Sequence, residues 1–132
     1  MGVRSSRGTV LTMNIKHEAT RTSVATAIQQ LTYVCHQNSV EHGFYEGREF
    51  NLGEKGLLIV SEIVEAFEGD RNGKATMPDE HCPEYTNFEI EVADACIRIF
   101  DLAEYRKLRL GQAILSKMDY NASRPYKHNK NY

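Results

Sequence analysis

Four stretches of the chain repeat apolar residues at helical spacing, and none alternates apolar and polar residues as a half-buried strand would. From about Lys16 to His42, Val24, Ile28, Leu31 and Cys35 recur at spacings of 4, 3 and 4 and predict one apolar stripe along a first helix. The segment HGFYEGREFNLG breaks that period, and Gly43, Gly47 and Gly53 mark a loop. Asn51, with Glu54 three residues on, is a capping-box-like start for a second helix. That helix runs through Leu57, Leu58, Ile59, Val60, Ile63, Val64, Ala66 and Phe67 to Gly69. Apolar on nearly every side, it is expected to be central and buried.

Residues 69–86 carry Gly, Pro, Asn and Asp without a period and predict a loop of about 15–18 residues, a length that marks a functional or mobile segment. Thr86 with Glu89 offers a second capping box, followed by a third helix through Ile90, Val92, Ala93, Ala95, Cys96, Ile97, Ile99, Phe100 and Leu102. A shorter fourth helix is expected from about Tyr105 to Met118, with Leu108, Leu110, Ile114, Leu115 and Met118 as its apolar positions. Residues 1–14 lack periodicity and read as a loose leader, and residues 119–132 read as a polar, basic tail. No repeat of fixed period occurs. The pattern predicts an all-α fold.

Composition narrows the class. At 132 residues the chain suits one domain, residues 1–132, and its 41% hydrophobic, 26% charged make-up is that of a soluble globular protein. Eighteen acids against sixteen bases leave a net charge of −2, so no global field favours nucleic acid or an anionic membrane. No apolar run approaches the ~20 residues that span a bilayer, and no secretory segment leads the chain. Cys35, Cys82 and Cys96 form an odd set without CxxC spacing, against a disulfide framework and against structural zinc. A cytoplasmic protein is expected. Gly2 followed by Ser6 formally matches a myristoylation signal, but no polybasic companion accompanies it.

The near-neutral total hides a polarised chain. Residues 54–101 carry twelve acids and four bases, and residues 102–132 carry two acids and seven bases. That order suits a protein that holds cations and then an anion upon them, and it also describes solvated helix faces followed by a basic end.

The second and third helices are each interrupted by paired carboxylates. Glu62 and Glu65 lie three apart and project from one face, and Glu91 and Asp94 do the same. At about 100° per residue, Glu91, Asp94, Arg98 and Asp101 fall within about 80° and make one polar stripe on a largely apolar helix. Burying one carboxylate costs several kcal/mol, and several together repel one another, so a buried cluster needs cations to remain ionised. Hard oxygen ligands on facing helices suit Mg²⁺ or Mn²⁺. Exposed amphipathic faces are the bland reading, weakened by the scarcity of other polar surface on the second helix.

The run E-I-V-E (62–65), a gap of 25 residues and E-V-A-D (91–94) resembles the ExxE…ExxD signature of the all-α nucleoside triphosphate pyrophosphohydrolases of the MazG-like group. The similarity extends through Ala95-Cys96-Ile97-Arg98-Ile99-Phe100-Asp101-Leu102-Ala103. It resumes at Lys117, Asn121 and Arg124-Pro125-Tyr126-Lys127-His128, which is similar to the K-x-x-x-N-x-x-R-P-Y-K-H tail of phage and bacterial members. It covers roughly residues 17–130. It implies a four-helix MazG-like bundle, oligomeric as a homodimer or homotetramer. It further implies that Glu62, Glu65, Glu91 and Asp94 are the catalytic, metal-binding residues, holding about two or three Mg²⁺ ions (Mn²⁺ as substitute) that carry the triphosphate. Water attack at the α-phosphorus then gives nucleoside monophosphate and pyrophosphate. Many relatives have a further Glu just before the first motif glutamate, and here that position is Ser61. Water activation thus falls either to the metal alone or to Glu65 or another carboxylate.

In the tail, Lys117, Arg124, Lys127 and Lys130 are candidates to clamp phosphates, and Asn121 and Tyr126 to touch sugar or base. A disordered basic end is the rival, and Pro125 opposes it by stiffening its own backbone and that of Arg124. Arg98 is a candidate for phosphate contact or for pairing with Asp94 or Asp101. His17, His36, His42, His81 and His128 share no metal-ligand spacing and read as surface or loop residues, and Cys96 reads as core packing. The tail resembles phage-type members, which implies (d)GTP as substrate. A dUTP or dCTP pyrophosphohydrolase and a non-catalytic, cation-binding helical module are the alternatives.

Overall fold

Side-chain caps set the starts of two of the four helices in the computed structural model, which describes residues 17–125. Helix α1 spans Glu18–Glu41, α2 Leu52–Arg71, α3 Asn87–Tyr105 and α4 Leu110–Ser123. Asn51 Oδ1 accepts from the backbone N–H of Gly53 and of Glu54, which begins α2. Glu54 does not close the expected box, because its carboxylate pairs with Arg48 at 2.8 Å. Thr86 and Glu89 do form the reciprocal box at the head of α3. Among the described residues there is no strand, only an isolated bridge between Pro78 and Thr86. The fold is all-α, as the periodicity predicts.

Several boundaries differ from the sequence expectation. Gly53 and Gly69 lie inside α2 rather than in loops, and the chain leaves the helix at Asn72 and Gly73, whose φ of +71° suits glycine. Helix α4 begins at Leu110, not near Tyr105, after a turn with Lys107 at φ +53°, and it runs on to Ser123. The first residues of the expected basic tail, Asp119 to Ser123, are therefore helical. Residues 1–16 and 126–132, and the expectations for leader and tail that fall on them, lie outside the described residues.

The described chain divides into two compact units: residues 17–30 with 109–125, and Leu31–Leu108. In the first, the start of α1 approaches α4 closely. A Cβ on Gly111 would sit 2.9 Å from Ala25 Cα, so only glycine permits this approach. Arg21 donates two hydrogen bonds to Asp119, at 3.1 and 2.8 Å, and a small cavity of about 90 Å³ lies between Thr20, Val24, Leu115 and Met118.

In the second unit, α2 and α3 run antiparallel. Lys55 meets Asp101, Glu62 meets Asp94 and Arg98, and Gly69 meets Asn87, in steps of seven residues along each helix. That step is the 3.5-residue repeat of a helix–helix seam. The seam is small and polar rather than large and apolar: on α2 the buried residues are Lys55, Glu62 and Ala66, and on α3 they are Ala95, Asp101 and Ala103. Ala66 and Ala95, only 3% and 2% exposed, let the helices approach.

The expectation that α2 is buried all round is overturned. Leu57, at 71% exposure, and Val60, Ile63, Val64 and Phe67 all stand on the surface. The apolar character of α2 is therefore largely not spent on contacts among the described residues. The stripe expected on α1 is displaced as well, because Val24 and Leu31 are exposed while Thr32 is 1% exposed. The Thr32 side chain finds a hydrogen-bond partner in Glu104, which makes its burial tolerable.

Beside the seam, Lys55 is closed in by aromatic rings. Its Nζ donates to Tyr45 Oη (2.6 Å) and to Asp101 Oδ2 (3.0 Å), and it lies 4.2 Å from the Phe50 ring centroid and 5.5 Å from that of Tyr105. Asp101 Oδ1 accepts from Tyr45 Oη at 2.7 Å and meets His36 Nδ1 at 2.8 Å. His36 is therefore a half-buried structural partner, not the surface residue its spacing implied. Removing one member of such a buried charge pair costs about 3–5 kcal/mol, since the other is left without compensation. No buried side-chain nitrogen or oxygen among the described residues lacks a hydrogen-bond partner.

Candidate metal centre

Helix geometry first brings the paired carboxylates of each helix together. Residues three apart share a face, so Glu62 with Glu65 on α2 and Glu91 with Asp94 on α3 each present a pair of oxygens. The antiparallel seam then sets the pairs against each other. Glu62, Glu65 and Glu91 each offer a carboxylate oxygen, and these oxygens all lie within 4.8 Å of one another. Asp94, the fourth expected ligand, is half-buried one turn along α3 from Glu91 and within electrostatic reach of Glu62. Glu62 is buried, Glu91 is half-buried and Glu65 is exposed, so the cluster opens from the seam to the surface.

The site's electrostatics carry the mark of crowding. Burial raises the pKa of Glu91 most, Asn87 opposes it, and the charges of Glu65, Asp94 and Glu62 push it up further. Burial again leads the rise at Asp94, reinforced by Glu62 and by Asp79 and opposed by Arg98. Each carboxyl therefore holds its proton more tightly than it would alone in water. Arg98 answers part of the charge: its Nε donates to Glu62 Oε1 at 2.5 Å. The stripe written along α3 thus splits. Arg98 pairs with Glu62 rather than with Asp94 or Asp101, and Asp101 serves Lys55, Tyr45 and His36 instead of the cluster.

The donors fit a hard divalent cation. All are carboxylate oxygens, they come from two rigid helices, and their separation suits shared coordination. Ser61 does not add to them, because its hydroxyl donates to Leu58 O at 2.7 Å within its own helix. The loop over residues 72–86 is a built turn beside this site. Asp79 Oδ1 accepts the backbone N–H of His81 and of Cys82, both at 2.9 Å, and Asp79 N donates to Tyr85 O. Those two backbone donors hold the Asp79 carboxyl below its usual range. Sequence composition identified the loop, but nothing in it singled out Asp79.

The expected substrate residues are divided. Arg98 stands with the carboxylates, whereas Lys117, Asn121 and Arg124 belong to the unit built from the start of α1 and from α4. Lys117 Nζ lies 4.5 Å from the Tyr120 ring centroid, and the Arg124 guanidinium lies 5.9 Å from the same ring. Tyr126, Lys127 and Lys130 lie outside the described residues. Cys96 is exposed, not core packing. No helix among the described residues is long and apolar enough to cross a membrane. No protein-family model, no curated protein and no solved structure matches this chain.

Proposed function

We propose that the chain is a Mg²⁺-dependent nucleoside triphosphate pyrophosphohydrolase, a MazG-like hydrolase of nucleotide metabolism that cleaves (d)NTP to (d)NMP and pyrophosphate. The observation that carries this reading is the meeting of Glu62, Glu65 and Glu91 within 4.8 Å across two antiparallel helices. The likeness of the E-I-V-E and E-V-A-D motifs to the ExxE…ExxD signature supplies the reaction. Glu62, Glu65, Glu91 and Asp94 hold the Mg²⁺ ions, with Mn²⁺ as substitute. When bound, these ions offset the charge of the triphosphate and acidify water for attack at the α-phosphorus. The four carboxylates orient that centre from rigid helices, so little reorganisation accompanies the reaction. Arg98, beside Glu62, is the cation of this unit that reaches phosphate. With Ser61 bonded to its own helix, activation of water falls to the metal alone or to a carboxylate of the cluster, of which Glu65 is the most exposed.

The substrate proposed is a guanine nucleotide, from the likeness of Lys117, Asn121, Arg124, Tyr126 and Lys127 to the phage-type tail. The same likeness makes the active form a homodimer or homotetramer, and the exposed apolar residues of α2 support it. A cytoplasmic location is part of the same proposal. Replacement of Glu62 by Gln, or of Asp94 by Asn, should reduce turnover by about 10²–10³-fold, the scale of losing an electrostatic group at a reacting centre. Circular dichroism should remain helical in both variants. Near-parental turnover in both would remove the carboxylates from the mechanism.

A further inference from the structure

We infer that Asn87 is a positioning residue for the metal centre, and that Gly69 is glycine because the Asn87 side chain occupies the space a Cβ would need. This inference rests on the reading of the carboxylate cluster as a metal site. Asn87 is the first residue of α3, and its backbone N–H donates to Met77 O at 2.8 Å, so the start of the helix is tied to the preceding loop. One turn later stands Glu91, and Asn87 Nδ2 donates to Glu91 Oε1 at 3.1 Å. An anchored oxygen fixes the rotation of the carboxylate, and Glu91 is the member of the close trio that α3 contributes. The Asn87 side chain also lies next to Asp79, the residue that organises the turn beside the site.

Across the seam, a Cβ on Gly69 would fall 2.5 Å from Asn87 Oδ1, with no other contact nearer than 3.7 Å. The obstacle is thus the end of one side chain and not the backbone of α3. Alanine at 69 leaves the helices where they are and drives the Asn87 amide away from its place against Glu91. Gly69 lies within α2, where alanine is the better helix former, so its replacement has no intrinsic folding penalty. Two residues on different helices therefore control the placement of one amide, which bonds Glu91 and also Asp79, and replacing either is expected to weaken the site through that same side chain.

The test is a Mn²⁺ titration of the full chain without nucleotide, followed by the paramagnetic resonance of free Mn²⁺, with thermal midpoints read in parallel. Loss of a partner that orients a ligand typically weakens metal affinity about 10–100-fold. Asn87→Ala and Gly69→Ala should each raise the Mn²⁺ dissociation constant about tenfold, the low end of that range. The Asn87→Ala/Gly69→Ala double variant should bind no more weakly than Asn87→Ala, because a methyl at position 69 acts only through the Asn87 side chain. Parental affinity in Asn87→Ala, with Mn²⁺ still bound by the parent, overturns the positioning role alone. Additive losses in the double variant overturn the link between Gly69 and Asn87. A parent that binds no Mn²⁺ overturns the metal reading and this inference with it.

Discussion

Glu91 and Asp94 differ from surface carboxylates in one respect that can be measured. Burial and neighbouring charge raise both pKa values, so the metal-free folded chain keeps these protons to higher pH than the unfolded chain does. Their contribution to stability is therefore full below the unfolded values and is lost as pH rises through the folded ones. Asp101 has the opposite sign: burial pushes it up, but hydrogen bonds from Tyr45, His36 and Lys55 outweigh that and lower it. Its contribution is present above the unfolded value and is lost as pH falls through the folded one. A divalent cation competes with the protons of Glu91 and Asp94 and not with the bonds of Asp101. Saturating Mg²⁺ should thus raise the thermal midpoint by less as pH falls from neutral into the acid range in which those carboxyls take up protons. An increment that is flat across that range would contradict a site built on them. The residue patterns that made these positions legible were the i, i+3 pairs. The partner of Arg98 was not legible, because it depends on the register between two helices and not on spacing within one.

Among the elements, α2 shows most plainly what a one-helix reading omits. Its apolar pattern predicts residues that face inward, yet the face turned to α3 carries Lys55, Glu62 and Ala66. The heptad step shared by Lys55, Glu62 and Gly69 with Asn87, Asp94 and Asp101 is visible in the sequence once two helices are written side by side. Leu57, Val60, Val64 and Phe67, at spacings of 3, 4 and 3, then form a second apolar face that stays exposed among the described residues. A stable interface needs about 800 Å² from each partner, and an apolar helix face of this kind is a suitable source. Light scattering coupled to gel filtration should therefore give the parent at least twice the protomer mass, and Val64→Asp should shift it toward the protomer. A parent that elutes as a protomer would contradict an assembly through α2. The caps fared differently: Thr86 and Glu89 close their box because both partners are local, whereas Glu54 is drawn to Arg48.

For the molecule as a whole, helix number and class were legible because periodicity and capping are short-range signals. The division into two compact units was not, and neither was the enclosure of Lys55 by Tyr45, Phe50 and Tyr105, residues brought together from a loop and from α3. The small polar seam leaves the buried charges to be satisfied by pairing, with Lys55 on Asp101 at one end and Arg98 on Glu62 nearer the cluster. The remaining carboxylates of the seam, Glu65, Glu91 and Asp94, are those that the proposed Mg²⁺ would complement. The most direct measurement is incubation of the purified chain with each common dNTP and NTP in the presence of Mg²⁺, with the products separated by chromatography. The account predicts nucleoside monophosphate and pyrophosphate from a subset of substrates, guanine nucleotides foremost. Cleavage of dUTP or dCTP alone would keep the reaction and change the base. Absence of turnover with both Mg²⁺ and Mn²⁺, or release of inorganic phosphate and nucleoside diphosphate instead, would contradict it.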